Sequence, residues 1–273
     1  MDHKPRISVI MGIYNCANTL QEALNCLYKQ TYQDFEIILC DDGSADNTYE
    51  LAKKNAEQHP NIKLLKNSQN QGLNKTLNNC LAVAEGDYIA RMDGDDLCDS
   101  TRFEKEVRFL DEHPEYAIVS TPMIYFDEEG EFGKGKGGYE PTKMNFLGGP
   151  PFCHATCMVR REAYQSVDGY SEDPRLLRVE DYHLWMKMFM KGFRGYMLDE
   201  CLYSMRDDRN ATIRRKPFKF IKNEVYACFL ACKNLKLPLW SFIYCIKPIL
   251  VYLMPIWLYD ILHKKQFDKH LST

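Results

Sequence analysis

The sequence lacks several patterns that would place it in a common protein class. It has eleven cysteines, an odd number, and they include no CxxC pair. A secreted disulfide framework is typically short, dense and even-numbered, and a structural zinc site needs two ligand pairs. Cys153, His154 and Cys157 have no second ligand pair after them. We therefore expect reduced cysteines in a cytoplasmic protein.

Two nucleotide-binding patterns are also missing. No GxGxxG follows the first predicted strand, which excludes the standard dinucleotide-binding fingerprint. The segment 133–138, GKGKGG, lacks the Ser or Thr of a P-loop and its flanking strand and helix. We predict that residues 130–139 form a mobile loop that closes over a substrate. The polar N-terminus runs directly into a strand, and we expect no signal peptide.

Long uncharged hydrophobic runs are scarce. Residues 237–259 carry a single charge, Lys247, but it lies near their middle beside Pro248, and Pro255 follows. A membrane span needs about 20 apolar residues, and a central lysine with two prolines argues against one. We expect a broken pair of helices that lies on a membrane surface, packs against the rest of the chain or packs against a second copy. Aromatic residues suited to a membrane interface are Trp240, Tyr244, Tyr252, Trp257 and Tyr259.

Charge is divided unevenly along the chain. The 273 residues have a formal net charge of -3, with 45% hydrophobic and 27% charged residues. From Arg214 onward eleven basic residues face three acidic ones, whereas the preceding residues contain 24 basic and 35 acidic ones. A basic, aromatic tail on an acidic body indicates an anionic surface or substrate for the tail. We expect a large domain at 1–213, a helical tail at 214–273, and no nucleic-acid partner.

The first hundred residues alternate between predicted strands and helices. Apolar runs predict strands at 7–11, 35–40, 62–65 and 88–92. Helical spacing predicts a helix at 20–27, a second that follows Asp46 and ends at about residue 58, and a third at 73–84. Such alternation is typical of βαβ units and a parallel sheet. Ligands of these sheets bind at the carboxyl ends of the strands. We therefore expect functional side chains at those ends.

Polar side chains follow three of these predicted strands. Tyr14-Asn15 follows the first and Asp41-Asp42 the second, and the stretch Asp93-Gly94-Asp95-Asp96 follows the fourth. Asp93 and Asp95 leave the same face of an extended chain, and Gly94 permits a tight turn. Such carboxylates suit Mg²⁺ or Mn²⁺. The alternative is a solvated acidic turn, in which Asp96 caps a helix from about residue 100 to before residue 114.

Five segments in fixed order resemble the inverting family 2 glycosyltransferases. They are SVIMGIYN at 8–15, DDGS at 41–44, NQG at 70–72, RMDGDD at 91–96 and EDYHLW at 180–185. The resemblance covers about residues 6–210. It implies an α/β GT-A fold, with a mostly parallel central sheet flanked by helices and a C-terminal helical appendage. It also implies a nucleotide-diphosphate sugar donor, with a nucleotide-binding half at about 1–98 and an acceptor half at about 99–213.

The resemblance also implies the residues that bind the nucleotide. Asp42 would hydrogen-bond the base; its alternative role is a cap on the next helix, which Asp41 or Asp46 could fill equally well. Many relatives carry an arginine where this chain has Leu77, and Lys75 is the candidate substitute cation. The implied nucleotide-binding set is Ile13, Tyr14, Asn15, Asp42, Gly72, Lys75, Asn78, Arg91, Asp93 and Gly94.

The implied metal ligands are Asp95 and Asp93, binding Mn²⁺ or Mg²⁺. The implied base is Asp181, with Glu180 beside it; the alternative is that both stabilise a helix N-terminus. His154 is a candidate on the acceptor side, or a structural histidine of a strand. Asp208 stands where relatives have a histidine, and the basic residues near it either hold phosphate or form a solvated surface. These candidates are Arg209, Arg214 and Arg215.

We therefore expect metal-assisted glycosyl transfer with inversion, favouring a UDP-sugar, onto a glycan or lipid-linked acceptor in polysaccharide or glycolipid assembly. The protein would lie on the inner face of the cell membrane through residues 217–262, with a homodimer as another use of the tail. One alternative is a non-catalytic nucleotide-sugar-binding module with a membrane-binding tail. Another is an Asp-dependent phosphohydrolase, although that chemistry usually places a threonine where this chain has Asp96-Leu97.

Overall fold

A computed structural model of the protein describes residues 4–207, 218–255 and 258. Its first part alternates strands and helices, as predicted. The elements are β1 (Ile7–Ile13), α1 (Leu20–Tyr28), β2 (Phe35–Asp41), α2 (Thr48–Gln58), β3 (Ile62–Lys66), α3 (Leu73–Val83) and β4 (Tyr88–Arg91). Every residue of β2 is buried, as expected for a continuous apolar run inside a parallel sheet.

The second part has shorter strands. Its elements are β5 (Leu97–Cys98), α4 (Arg102–Glu112), β6 (Ile118–Ser120), β7 (Met123–Asp127), β8 (Gly130–Lys134), β9 (Met158–Arg160), α5 (Arg161–Ser166), α6 (Glu180–Met190), β10 (Gly195–Met197) and β11 (Tyr203–Arg206). Single 3-10 turns occur at Lys143–Leu147, His154–Thr156 and Pro174–Leu176. His154, considered above as a histidine of a strand, lies in one of these 3-10 turns, and the strand β9 begins four residues later.

The central sheet has the strand order β10-β6-β9-β4-β1-β2-β3. All neighbours are parallel except β9, which runs antiparallel to both β4 and β6. A smaller sheet has the order β5-β11-β7-β8. The carboxyl ends of β1, β2 and β4 therefore meet at one edge, and the predicted fold class, an α/β fold with a mostly parallel central sheet flanked by helices, is confirmed.

The segment 130–139 differs from the prediction of a mobile loop. Residues 130–134 form β8, which pairs with β7 in a hairpin. The chain after it is bonded to the end of β10, because Gly138 donates its amide to the carbonyl of Met197 at 2.9 Å. At Gly137 a Cβ would lie 1.6 Å from the carbonyl oxygen of Leu198. The loop prediction was therefore wrong for residues 130–134, which form a strand, and Gly137 serves close backbone packing.

The tail is helical and broken, as predicted. It consists of α7 (Phe218–Asn234), a 3-10 helix (Leu239–Ile246) and α8 (Lys247–Leu253). Pro248 lies in the first turn of α8, a position where proline is favoured. One face of α7, including Ala227 and Ala231, packs into the same apolar core as Trp185 of α6. No helix in the described part of the chain is long and apolar enough to cross a membrane. Trp257 and Tyr259 lie outside the described residues.

Candidate active site

The acidic run at the end of β4 is organised around a buried arginine. Arg91 is 1% exposed, and its guanidinium forms an ion pair with the carboxylate of Asp93. The amide of Asp93 donates to the hydroxyl of Tyr203 at 3.2 Å. Asp93 is therefore held in place by both its side chain and its backbone.

Asp95 presents an exposed side chain beyond this pair. Gly94 lies tightly against the loop after β1, because a Cβ there would be 2.9 Å from the Sγ of Cys16. Arg206 donates its Nε to the carbonyl of Asp95 at 3.0 Å. Partial desolvation, followed by the charge of Asp93, raises the pKa of the Asp95 carboxyl. A cation at this site would reverse that effect, because it favours the charged carboxylate.

Asp96 turns away from this edge and does not cap α4. Its buried carboxylate accepts hydrogen bonds from the hydroxyl of Tyr203 and the amide of Arg206, both at 2.8 Å. Burial and the charges of Asp93 and Asp95 raise the pKa of Asp96 to about 7. The alternative in which Asp96 caps α4 was wrong, because the Asp96 side chain is hydrogen-bonded to residues of β11. At the start of α4, Asp99 accepts from the amide of Thr101 instead.

Asp93 and Asp95 suit a divalent cation that is bound partly by the protein and partly by a substrate. In the described part of the chain, they belong to no group of three acidic, histidine or cysteine side chains whose ligand atoms all lie within 4.8 Å of one another. One or two carboxylates, with the remaining positions left to water and phosphate oxygens, is the arrangement that Mg²⁺ usually takes. The hard oxygen donors also suit Mn²⁺.

At the end of β2, Asp42 fastens the 70–72 turn. Its carboxylate accepts from the amides of Gln71 at 2.8 Å and Gly72 at 2.9 Å, and from the side chain of Asn67 at 2.8 Å. Gly72 supplies the turn with a φ of +90°. Asp42 does not cap α2; Asp46 does, accepting from the amide of Thr48 at 3.0 Å. Any base contact of Asp42 therefore starts from a carboxylate already fixed in position.

The three residues predicted after β1 differ in what they offer a ligand. Ile13 is a buried residue of β1, whereas Tyr14 is 49% exposed. Asn15 adopts a φ of +50° and its side chain accepts from the amide of Ala45 at 2.9 Å. Its own amide donates to the hydroxyl of Ser44 at 3.1 Å. Tyr14 is therefore the side chain of this trio that is free to stack on a base.

The residues of α3 that the resemblance points to differ in their exposure and in their contacts. Lys75 is exposed, and Leu77, which stands where relatives have arginine, is fully buried in the core. Asn78 uses its amide to bind the backbone of Tyr170, donating to the carbonyl at 2.9 Å and accepting from the N–H at 2.8 Å. Its observed contacts thus join α3 to the segment between α5 and α6, and Lys75 is an exposed cation on the same helix.

Asp181 lies in the first turn of α6, as predicted, with Glu180 before it. Its carboxylate accepts from the amide of Tyr182 at 2.7 Å. Burial, followed by the charge of Glu180, raises the pKa of Asp181 to about 7, and the charge of Arg91 opposes this. Burial also raises the pKa of Glu180. Because Arg91 pairs with Asp93 and also acts on Asp181, it links the two acidic centres electrostatically.

Asp181 opens into a cavity of about 710 Å³ between the acceptor half and the tail. We call it the acceptor cavity. Its walls come from residues 146–150, from the start of α6, from α7 and from the last tail helices. The lining residues are Phe146, Leu147, Gly148, Gly149, Pro150, Arg178, Val179, Asp181, Tyr182, Glu224, Ala227, Cys228, Tyr244, Lys247, Pro248, Val251 and Met254. A volume of this size is typical of small-molecule sites.

His154 has a structural partner. Its Nε2 lies 2.7 Å from the hydroxyl of Tyr170, and its ring packs edge-on against Trp185. Burial lowers its pKa well below the usual value, which keeps the ring neutral. These contacts favour the alternative of a structural histidine. Arg209, Arg214 and Arg215, predicted to hold phosphate, lie outside the described residues.

Sequence reasoning missed two residues that shape the site. Tyr203 contacts Asp93 and Asp96, and Arg206 donates its Nε to the carbonyl of Asp95 and its backbone amide to the carboxylate of Asp96. Arg206 also forms an ion pair with Glu22 of α1. Both belong to β11, more than 100 residues after the acidic run. Nothing in the sequence of this strand indicates that it pairs with β5 beside Asp96.

A parallel sheet with acidic side chains at one edge, facing a carboxylate in the first turn of a later helix, defines a GT-A transferase. Comparison with known proteins makes the class specific. Residues 8–168, more than half of the chain, match the family model described as Glycosyl transferase family 2. The chain belongs to this family of enzymes, as its sequence motifs predicted.

Similar proteins match from about two thirds of the chain to nearly all of it. EpsE of Bacillus subtilis (strain 168), named as a glycosyltransferase, is 43% identical over 97% of this chain and 96% of its own length. WfaP of Escherichia coli is 27% identical over 69% of this chain and 72% of its own. Its name is UDP-Glc:alpha-D-GlcNAc-diphosphoundecaprenol beta-1,3-glucosyltransferase.

Solved structures confirm the GT-A fold. S. aureus TarS 1-349 in complex with UDP-GlcNAc has a TM-score of 0.68 at 21% identity, covering 91% of this chain and 71% of that one. The mannosyltransferase PcManGT from Pyrobaculum calidifontis, in complex with GDP-Man and Mn²⁺, has a TM-score of 0.66 at 19% identity. It covers 97% of this chain and 80% of its own. At these identities the likeness concerns the fold alone.

Proposed function

We propose that the protein transfers a glycosyl group, with inversion, from a nucleotide-diphosphate sugar to a hydroxyl of a lipid-linked glycan acceptor. The observation that carries the proposal is Asp181, a carboxylate with a pKa of about 7 that opens into the acceptor cavity. A base with a pKa near neutrality is suited to taking a proton from a hydroxyl. The donor in WfaP's name and the ligand of TarS favour a UDP-sugar, and WfaP's name favours a lipid-linked acceptor.

The proposed step is a direct displacement at the anomeric carbon. Asp181 removes the proton from the acceptor hydroxyl, whose oxygen attacks from the side opposite the leaving group. The new glycosidic C–O bond forms as the bond to the nucleoside diphosphate breaks, which inverts the anomeric carbon. Arg91 fixes Asp93 on the donor side and stabilises the charged form of Asp181.

Asp95 and Asp93 would hold the cation, Mn²⁺ or Mg²⁺. When bound, such an ion supplies positive charge that stabilises the departing diphosphate. The Mn²⁺ in the PcManGT complex supports this role through the shared fold. On the same edge, we assign Tyr14 to stacking on the base and Asp42 to hydrogen bonding with it, with Lys75 as the nearby cation on α3.

We further propose that the tail attaches the protein to the inner face of the cell membrane. The 3-10 helix and α8 expose large apolar side chains to solvent: Leu239, Trp240, Ile243, Ile246, Leu250 and Leu253. The sequence around them is basic, which is complementary to anionic lipid headgroups. The alternative use of this apolar face is the formation of a homodimer. Co-sedimentation with anionic vesicles would support membrane attachment, and a dimer mass in size-exclusion chromatography without vesicles would support the homodimer.

The test of the function is release of nucleoside diphosphate from a panel of nucleotide sugars, with and without Mn²⁺ and a lipid-linked acceptor. We expect release that depends on Mn²⁺ and rises when the acceptor is added. Binding without release from any donor would support the non-catalytic binding module instead. Hydrolysis of simple phosphate esters without glycosyl transfer would support the phosphohydrolase.

A further inference from the structure

The tail forms part of the cavity that contains Asp181. Of the four segments that line it, two belong to the tail: α7 through Glu224, Ala227 and Cys228, and the last two helices through Tyr244 and residues 247–254. A membrane anchor alone would need only an exposed apolar face. The tail instead lines the same cavity as the carboxylate of Asp181, which implies a direct role in binding.

α7 fixes the segment that leads into Asp181. The buried side chain of Asn223 donates to the carbonyl of Leu177 at 2.9 Å. The next residue, Arg178, has a φ of +68°, a conformation that is strained for a residue with a Cβ. Its guanidinium lies 5.4 Å from the ring centre of Phe220 on α7. The contacts with α7 therefore help to hold Arg178 at the rim of the acceptor cavity.

The opposite wall is formed by α8. Lys247 donates its Nζ to the carbonyl of Gly148 at 3.1 Å, which bridges the wall of the tail to that of the acceptor half. An ammonium has three donors, so two remain for a ligand. Arg178 and Lys247 are the cationic residues of the lining, and Glu224 and Asp181 are the acidic ones. An anionic group on a ligand is therefore expected beside Lys247 and Arg178, away from Asp181.

The rest of this wall is apolar and continuous with the outer surface. Tyr244 and Val251 line the cavity, yet each is 39% exposed. Beyond them lies the exposed apolar face that includes Ile243 and Leu250. A volume of about 710 Å³ accommodates a sugar with its phosphate but not a long lipid chain. Such a chain would leave the cavity past Tyr244 and Val251 along this face.

We propose that the acceptor cavity binds a glycolipid whose sugar is joined to its lipid through phosphate. The sugar hydroxyl lies at Asp181, the phosphate is bound by Lys247 and Arg178, and the lipid runs along α8. The tail is thus a determinant of acceptor specificity as well as an anchor. This inference rests on the proposed function, because it assumes that Asp181 acts on an acceptor hydroxyl.

The experiment compares two acceptors that share one sugar, in neutral detergent micelles that contain no anionic lipid. One is the sugar-phosphate-lipid, and the other is a simple alkyl glycoside without phosphate. The readout is the ratio of their kcat/KM values. Removing one charged hydrogen bond typically costs about 1.5–3 kcal/mol, so Lys247→Met should lower this ratio about tenfold or more, through KM of the phosphate-containing acceptor.

Two further variants make the result specific. Lys247→Arg restores the cation and should return the ratio to within about threefold of the wild type, since arginine also binds phosphate. Lys233→Met removes an exposed lysine of α7 that does not line the cavity, and should leave the ratio unchanged. Val251→Asn, which adds a polar group to the lipid exit, should lower transfer to the lipid acceptor without lowering transfer to a short-chain alkyl glycoside.

The inference is overturned if Lys247→Met leaves the ratio unchanged or lowers both acceptors equally. It is also overturned if that variant weakens binding to anionic vesicles while the ratio in neutral micelles stays constant, because Lys247 then binds membrane headgroups. Failure of the proposed function looks different: the wild type then releases no nucleoside diphosphate and glycosylates neither acceptor.

Discussion

The carboxyl ends of β1, β2 and β4, which we call the donor edge, and the acceptor cavity are built in opposite ways. At the donor edge, polar side chains are already bonded to the protein: Asp42 to the 70–72 turn, Asn15 to Ala45, and Arg91 to Asp93. The acceptor cavity is walled largely by apolar side chains, and its Asp181 accepts from a neighbouring amide. The proposed donor site is therefore preorganised by hydrogen bonds, whereas the proposed acceptor site depends on the packing of a tail against the domain.

The largest expected effect is on the acceptor side. Asp181→Asn should lower kcat for transfer by about 10²–10⁴-fold, which is the usual contribution of a general base. KM for the donor should change little, because Asp181 faces the acceptor cavity. Steady-state kinetics with varied donor measures both. Glu50→Gln, in the first turn of α2, is the matched control for an acid at a helix start and should keep full activity.

On the donor side, Asp95→Asn should lower transfer by about 10²-fold, because it removes a charged ligand from the cation that stabilises the leaving diphosphate. The Mn²⁺ concentration for half-maximal activity should rise in parallel, and chelation should abolish wild-type activity. Titration of transfer with Mn²⁺ measures both. A variant with normal Mn²⁺ dependence would remove Asp95 from the metal site.

A third change tests whether the donor edge is preorganised by its own hydrogen bonds. Asp42→Asn replaces one carboxylate oxygen by an amide that cannot accept from Gln71, Gly72 and Asn67 together. Loss of such buried bonds typically costs about 1–3 kcal/mol of the free energy of unfolding. Chemical denaturation measures that loss, and KM for the donor should rise with it. Unchanged stability with a raised KM would mean that Asp42 acts on the nucleotide alone.

The pH dependence separates the two regions further. With a pKa of about 7, Asp181 is the active base only above that pH, so kcat should fall about tenfold per pH unit below it. Its raised pKa means that the folded state binds this proton more tightly than the unfolded state. Its contribution to stability is therefore lost as pH rises through about 7.

Asp181→Asn should remove that pH-dependent loss. Its melting temperature relative to the wild type should be higher at pH 8 than at pH 5, where the wild-type carboxyl is protonated. Thermal unfolding at the two pH values measures the difference. Equal shifts at both would show that Asp181 keeps an ordinary pKa.

Sequence reasoning succeeded where function is encoded locally. The strand ends carrying Tyr14, Asp42 and Asp93 could be placed because each follows its own apolar run, and parallel strands bring such ends together. The start of α6 at Glu180 is also local, because apolar residues at helical spacing, among them Leu184 and Met188, follow it directly. Asp96 was misplaced because its partners, Tyr203 and Arg206, come from a strand far along the chain.

The acceptor cavity could not be predicted from spacing. Its walls combine residues near 148, 180, 226 and 250, and no periodicity relates them. The basic, aromatic composition of the tail suggested a surface role, and three uses of it stayed open. Packing of α7 into the core is observed, and it brings Cys228 and Lys247 to the same cavity as Asp181. The glycine-rich run at 133–138 suggested a loop, whereas its first two residues belong to β8 and Gly137 packs against the backbone of Leu198.

The position of β9 in the central sheet has a consequence for synthesis of the chain. The four strands β1 to β4 are neighbours in the sheet, in the order β4-β1-β2-β3. They can pair as soon as the first 91 residues have emerged, through local βαβ connections. The edge of β4 then stays open until residues 158–160 arrive and insert between β4 and β6. An open edge strand is a template for pairing with other chains. We therefore expect nascent chains that end between about residues 100 and 157 to aggregate, and chains that include β9 to stay dispersed.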